Sequence, residues 1–347
     1  LGLRYSYEEK DLEKSLVLTD ASGRPLVPGT ADDLVLDLFW RDTQNAAPYE
    51  TDQTRSEKHW LPQAILEWYA TEDTMLYASA SQGAKGGGWD AIHANGDDLS
   101  TLEYEDESID AFEIGIMATL WDNRATLNAA AFYSNIDDLQ VSQFDGAVGF
   151  NVSNAAEATS KGIELDGRLA VTERLMLSAA ITYLDYSYDE YADAPCTQPQ
   201  FNEHWLATGG RAGCSQDLKN EPTVQAPEWS GSLSAGYYWS LLPELDLQLG
   251  VDANYRDDHY LAADLDPSTK QGDNWLLNAQ LALTPASGQW RIAVIGKNLT
   301  DETHYLFNDD APLGNGNVFG LSDDTGSFVA MTAPPRSYAV EATWYFQ

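Results

Sequence analysis

The chain has 347 residues, with 55 Asp and Glu against 19 Lys and Arg, and its formal net charge of −36 argues against a nucleic-acid partner, because phosphate binding needs a basic surface. Hydrophobic residues make up 43%, ample for a folded body, yet no apolar run approaches the roughly 18 residues that a transmembrane helix needs. Abundant Gly (26), Tyr (18) and Trp (11) in short alternating segments suit a β-barrel better than a helical protein.

Leu1-Gly2-Leu3-Arg4-Tyr5-Ser6-Tyr7 reads as a strand from the first residue, with neither initiator Met nor leader, so the sequence is expected to begin inside a longer protein. Further on, Phe112, Ile114, Ile116, Ala118 and Leu120 alternate with Glu113, Gly115, Met117 and Thr119. After the tight turn at Trp121-Asp122-Asn123, a second apolar row runs through Ala125, Leu127, Ala129, Ala131 and Tyr133. Ile163, Leu165 and Leu169 oppose Glu164, Asp166 and Arg168 in the next such segment. The clearest case is Leu245 to Arg256, whose odd positions are Leu, Val, Ala or Tyr and whose even positions include Asp246, Gln248, Asp252, Asn254 and Arg256. In the last segment Tyr338, Val340, Ala342, Trp344 and Phe346 share a face opposite Ala339, Glu341 and Thr343, with an aromatic near each end. Strand side chains alternate with a period of two, so one face can meet lipid while the other meets water. A helix would need apolar spacing near 3.6, which these segments lack.

Connection length alternates as well. Short turns fall at 70–73, 121–123, 172–174, 240–244 and 285–289, while long polar stretches fall at about 10–57, 84–106, 188–226, 261–273 and 299–336. Asp145-Gly146 is a short exception on the long side. Short turns at one rim and long loops at the other mark an antiparallel transmembrane β-barrel, here of about twelve strands. The final strand then runs inward and the 299–336 loop faces outside. A soluble sandwich would alternate too, but its loops would not sort by length.

Cys196 and Cys214 lie in one polar segment; the even pair reads as a disulfide formed in an oxidising compartment, with two free thiols as the alternative. The acidity has two readings. One is solvation in salt, where ions screen repulsion over about 8–10 Å. The other is divalent cations bridging the acidic loops to neighbouring phosphates.

Four stretches in order resemble the C-terminal part of TonB-dependent outer-membrane receptors. Tyr77-Ala78-Ser79-Ala80-Ser81-Gln82-Gly83-Ala84-Lys85-Gly86-Gly87-Gly88-Trp89 is similar to the family's aromatic strand ending in Gly-x-Lys-x-Gly-Gly-aromatic. Ser160-Lys161-Gly162-Ile163-Glu164-Leu165-Asp166 resembles its Gly-aliphatic-Glu strand, and Gly296-Lys297-Asn298-Leu299-Thr300-Asp301-Glu302-Thr303-His304-Tyr305 its Asn-Leu-x-Asp-x-x-Tyr segment. Pro335-Arg336-Ser337-Tyr338 and Trp344-Tyr345-Phe346 resemble the final strand, with Gln347 as one added residue. The resemblance implies that these strands are the last twelve of a 22-stranded barrel. The plug domain, its energy-coupling TonB box and the earlier strands are expected to lie outside residues 1–347. It also implies partners: outer-membrane lipid and lipopolysaccharide, TonB through the plug, and a small-molecule ligand, foremost a ferric siderophore. Vitamin B12, haem or an oligosaccharide are alternatives, and a passive porin or a barrel enzyme are competing classes.

Ligand recognition is expected in the outer loops and upper lumen, where aromatic and His residues concentrate. Trp89, His93, His204, Trp205, His259 and Tyr260 are the candidates, joined by Arg211 and Arg256 as cations for an anionic chelate. His304, Tyr305 and Phe307 stand in the same kind of segment. Glu164, Asp166, Arg168, Asp252 and also Arg256 are expected to line the lumen, where they solvate and pair along the wall or contact a plug, and Asn298 and Asp301 to cap the rim. Gly86-Gly87-Gly88 reads as a mobile loop without phosphate-binding spacing. No catalytic motif, metal set or cofactor site emerges; the Asp pairs lack calcium-loop spacing.

Overall fold

A computed structural model of the protein describes residues 1–41, 46–90, 93–100, 102–144, 150–208, 214–310 and 328–346. Twelve strands form one antiparallel sheet in strict sequence order. They are β1 (Gly2–Leu16), β2 (Tyr49–Thr71), β3 (Thr74–Lys85), β4 (Glu107–Leu120), β5 (Ala125–Phe144) and β6 (Phe150–Ala170). The others are β7 (Leu175–Glu190), β8 (Trp229–Leu242), β9 (Leu245–Arg256), β10 (Asn274–Pro285), β11 (Trp290–Lys297) and β12 (Ser337–Trp344). β1 and β12 each have one neighbour, so the sheet is an open wall. No described helix is long and apolar enough to cross a membrane.

Register carries the alternation of single strands across the whole wall. Ser232↔Asn254, Ser234↔Asp252 and Asp252↔Asn278 place polar side chains opposite one another on one face. Asn278 Nδ2 donates to Asp252 Oδ2 at 2.7 Å, Asn128 Nδ2 to Asp166 Oδ2 at 3.0 Å, and Tyr77 OH to Glu113 Oε1 at 2.6 Å. The opposite face leaves Trp60, Leu66, Trp68, Ile114, Ile163, Leu233, Trp275 and Val340 exposed. An apolar sheet face of that extent is stable in hydrocarbon and costly in water. Tyr183–Trp229 and Tyr255–Trp275 stack at 4.9 and 4.8 Å where β8, β9 and β10 end on the long-loop side, and Tyr5–Trp60 stack at 4.7 Å partway up β2. Trp68, Trp121, Trp239 and Trp344 mark the other end, so two aromatic girdles bound the band.

Two glycines show how closely the inner face packs. A Cβ at Gly115 would strike the Tyr77 ring, and one at Gly162 would strike the Phe132 ring and the Tyr183 carbonyl. Each ring covers the bare backbone opposite it, which explains the glycine in the Gly-Ile-Glu stretch.

The five short turns, between Thr71 and Thr74, Leu120 and Ala125, Ala170 and Leu175, Leu242 and Leu245, and Pro285 and Trp290, share one rim. The long connections share the other; Asp145-Gly146 lies outside the described residues. One boundary differs from the sequence expectation. The stretch read as loop from 10 to 57 is strand up to Leu16 and again from Tyr49, with Lys10 paired to Arg55 and Leu16 to Tyr49. Above the lipid both faces are wet, so hydrophobic alternation ends while the hydrogen-bonded ladder continues on polar residues. The long loops also carry structure that pattern reading did not foresee, including the helix α1 (Gln198–Thr208).

Buried apolar clusters sit among these connections, not inside the wall. Val141, Ala156, Ala158, Tyr188, Tyr191, Ala194, Leu218 and Leu265 pack together across the outer ends of β5 to β7 and the loops after β7 and β9. Leu18, Leu26, Leu36 and Ala46 form a second cluster within the loop after β1.

Candidate ligand-binding site

β8, β9 and β10 end side by side at the long-loop rim. The pairs Ser230↔Arg256 and Arg256↔Asn274 set one cation between two neutral polar residues on the inner face. Tyr255 and Trp275 stack on the opposite face and fix the strand ends at the girdle. Two loop segments close over this end: the small hairpin His259–Tyr260 with Lys270–Gln271, and the segment entering Tyr305–Asp310. Tyr305 N donates to Gln271 Oε1 at 2.7 Å, tying the segments together. A cleft of about 440 Å³ remains, lined by Arg256, His259, Gln271, Asn254, Asn274 and His304 among others, with no Asp or Glu among the described lining residues.

Gln271, His259 and Asn254 are bonded to Gly272 O, Asp257 O and Asp252 Oδ2, but three other polar groups of the lining are idle. Among the described residues the Arg256 side chain has no hydrogen-bond or ion-pair partner, and it is exposed. Asn274 is only 5% exposed, yet its Nδ2 has no partner; the buried Nδ1 of His304 has none either. A buried donor without a partner costs about 1–3 kcal/mol, so such atoms mark places where something binds. Burial holds the His304 pKa below the usual imidazole value, the Arg256 charge adds to this, and Glu302 opposes it.

Behind His304, the Asn-Leu-x-Asp stretch forms a bracket. Asn298 (φ 50°) donates through Nδ2 to Glu302 O at 2.8 Å and accepts from Glu302 N at 2.8 Å. Asp301 accepts from Arg336 N at 3.1 Å and pairs with its guanidinium at 3.3 Å. Asn298 and Asp301 thus hold the rim.

Trp89 and His93 belong to a separate place, above β1 and β2. Trp89 Nε1 donates to Gln53 Oε1 at 2.7 Å, and the buried His93 ring bonds through Nε2 to Asn95 O at 2.8 Å. Lys14 Nζ and Tyr49 OH donate to His93 O at 2.8 and 2.7 Å. Next to them the Arg55 guanidinium, with a side chain 9% exposed, bonds Glu57, Glu103 (2.6 Å), Glu105 (2.6 Å) and Asp106 (3.4 Å). His59 stands 3.5 Å from Glu57 and 3.6 Å from Asp106, and Lys10 Nζ donates to Gly87 O at 2.5 Å. A Cβ on Gly87 would collide with Tyr104 O and Arg55, and one on Gly86 would press on Glu8 and Glu57. The glycine run read as a mobile loop is bare because it lies across this ion cluster.

His204 and Trp205 sit on α1, inside the loop that the Cys196–Cys214 disulfide closes with Cα atoms 5.9 Å apart. Arg211 lies outside the described residues. Of the sequence candidates the fold brings Arg256 and His259 to one cleft, with Tyr260 beside it under the Lys270 ammonium at 5.5 Å. Asn274 and Gln271 were missed; only the cross-strand register opposite Arg256 would have pointed to Asn274.

An up-and-down antiparallel wall with an apolar exterior, a polar interior and its long loops on one rim defines an outer-membrane type of β-barrel. The family model "TonB dependent receptor-like, beta-barrel" matches residues 1–299, and the chain belongs to that family. Among curated proteins, the probable TonB-dependent siderophore receptor PiuA of Acinetobacter baumannii is 26% identical over 203 residues, 57% of this chain and 24% of that protein. The metal-pseudopaline receptor CntO of Pseudomonas aeruginosa is 27% identical over 136 residues, 39% of this chain and 18% of that protein. The ferric yersiniabactin uptake receptor FyuA of Yersinia pestis superposes with a TM-score of 0.68 at 16% identity, over 98% of this chain and 42% of that one. The chain therefore spans about a quarter or less of the curated relatives it matches.

Proposed function

We propose that this wall belongs to an outer-membrane active importer of the siderophore-receptor type, which captures a ferric chelate at its outer mouth. The ligand is then passed through the lumen as a plug rearranges under force from TonB. Residues 1–347 supply only barrel in this reading, and the plug and remaining strands are contributed by the rest of the protein. Outer-membrane lipid and lipopolysaccharide surround the apolar face, and the disulfide forms in the periplasm. The observation that carries the proposal is the inner-wall cleft at Arg256: an unpaired cation facing the lumen of a chain whose net charge is −36. The relatives named as siderophore and metal-pseudopaline receptors support the same substrate class.

Uptake of radiolabelled ferric chelates by cells carrying or lacking the full-length gene tests it, with and without a functional TonB. Loss of uptake of at least one chelate in both deletions is expected. Unchanged uptake of every chelate, or steady ion conductance of the purified protein in a planar bilayer, would replace this reading with a passive porin.

A further inference from the structure

We infer that the cleft at the ends of β8, β9 and β10 is a carboxylate-binding subsite, in which Arg256 and the side-chain amide of Asn274 grip one carboxylate arm of the ligand. The inference rests on the receptor reading only for the source of that ligand; the subsite itself is argued from its own groups.

The guanidinium of Arg256 presents a planar fork matched to a carboxylate, and no described residue occupies it. Asn274 Nδ2 and His304 Nδ1 are buried atoms without partners, and both residues line the same cleft. A carboxylate accepts through two oxygens with about four lone-pair sites, so it can occupy the fork and an amide N–H together. Ser230 and Ser232 add neutral hydroxyl groups, Asn254 an amide that also donates to Asp252 Oδ2 at 3.0 Å, and no described lining residue is acidic. One formal cation among neutral donors balances a single negative charge; a phosphate dianion would leave a charge uncompensated in a half-enclosed site.

Position and size narrow the ligand further. Ser230, Asn254, Arg256 and Asn274 share the inner face, opposite the Tyr255–Trp275 stack, so a headgroup in the surrounding bilayer does not reach them. The space, about 440 Å³ and open on one side, can seat one arm of a larger chelate. Among the described lining residues Tyr305 is the phenol on this side of the wall, since the Tyr255 ring stacks on the opposite face, and the amide, hydroxyl and imidazole groups that dominate suit a carboxylate arm better than a catechol ring.

The test is calorimetric titration of the full-length receptor in detergent with succinate, inorganic phosphate and catechol. Succinate is expected to bind with millimolar or tighter affinity, and Arg256→Gln to weaken it at least tenfold. Arg256→Lys, which keeps the charge and loses the fork, is expected to fall between, and Asn274→Leu to weaken binding several-fold. Heat-modifiable migration of each variant in gels establishes that the barrel has formed. Absence of succinate binding to the wild type, an unchanged Kd in Arg256→Gln, or tighter binding of phosphate or catechol than of succinate would overturn the assignment. Chelate uptake is read separately: intact succinate binding with no TonB-dependent uptake would sink the receptor reading and leave the subsite standing.

Discussion

Two arginines stand on the inner face of the same wall under opposite conditions. Arg55 is enclosed and bonded to Glu57, Glu103, Glu105 and Asp106; Arg256 is open and bonded to no described residue. Both rise from strand ends near the outer rim, and both could be taken for ligand-binding cations in a sequence. Saturation tells them apart. A cation already surrounded by carboxylates has no capacity for an anion, whereas an exposed one with idle donors beside it does. Arg55 therefore locks the 86–106 connection onto β1 and β2, and Arg256 is kept for a guest.

The sharpest way to break this contrast is Arg55→Ala. It strands the buried Glu57 carboxylate, and breaking a buried pair costs about 3–5 kcal/mol; Lys10 and His59 nearby favour the lower end. Amide hydrogen exchange across 86–106 is expected to accelerate by about two orders of magnitude, consistent with ~3 kcal/mol, while succinate binding stays unchanged. Equal protection in both proteins would show that the lock carries nothing. Gly87→Ala attacks the same place by volume. Its methyl meets the Tyr104 carbonyl and Arg55, and overpacking of this kind costs about 1–3 kcal/mol. The same exchange experiment reads it, with a smaller acceleration expected.

A pH series sharpens the other side. His304 titrates below its usual value because of burial first and Arg256 second, with Glu302 opposing; His259 lines the same cleft. A base with a depressed folded-state pKa binds fewer protons folded than unfolded, so its docking is most stable above about pH 6.5. Stability is lost as pH falls from there toward the folded-state value. Protection factors at residues 304–310, taken relative to the slower intrinsic exchange in acid, are accordingly expected to fall at pH 6.0 relative to 7.5 in the free protein. A bound carboxylate reverses the sign by favouring the imidazolium, so succinate is expected to bind more tightly at pH 6.0. Affinity that falls on acidification would remove His304 from the site. The smallest expected effect is that of Arg256→Gln on folding. The residue has no described partner, so thermal unfolding is expected to shift by no more than the ~0.5 kcal/mol of an ordinary surface change.

The wall itself was legible because a period of two is written directly into the residues. Leu245 to Arg256 declared both of its faces, and the connection lengths sorted the rims. Arg256 and His259 could be named as candidates by residue type alone. Their convergence with Asn274 could not, since it depends on which residue of β10 stands opposite Arg256. The continuation of β1 and β2 above the lipid was hidden for a related reason: Glu8, Lys10, Arg55 and Glu57 carry no apolar signal, and their pairing is a property of two segments together. Likewise α1 has no apolar stripe for a periodicity search to find, and it lies inside a disulfide-closed loop.

Strand length varies strongly around the wall: β2, β5 and β6 have 23, 20 and 21 residues, whereas β11 and β12 have 8 each. On the tall side the mouth is made of sheet, whose backbone geometry is shared by every neighbour and resists change. On the low side, next to Arg256, the mouth is completed by connecting segments anchored at Asn298 and Arg336 and tied to the neighbouring loop through Tyr305 and Asn308. Insertions or exchanges between those anchors can reshape the guest's seat while the membrane-spanning part stays as it is, so new ligand preferences should arise on that flank first.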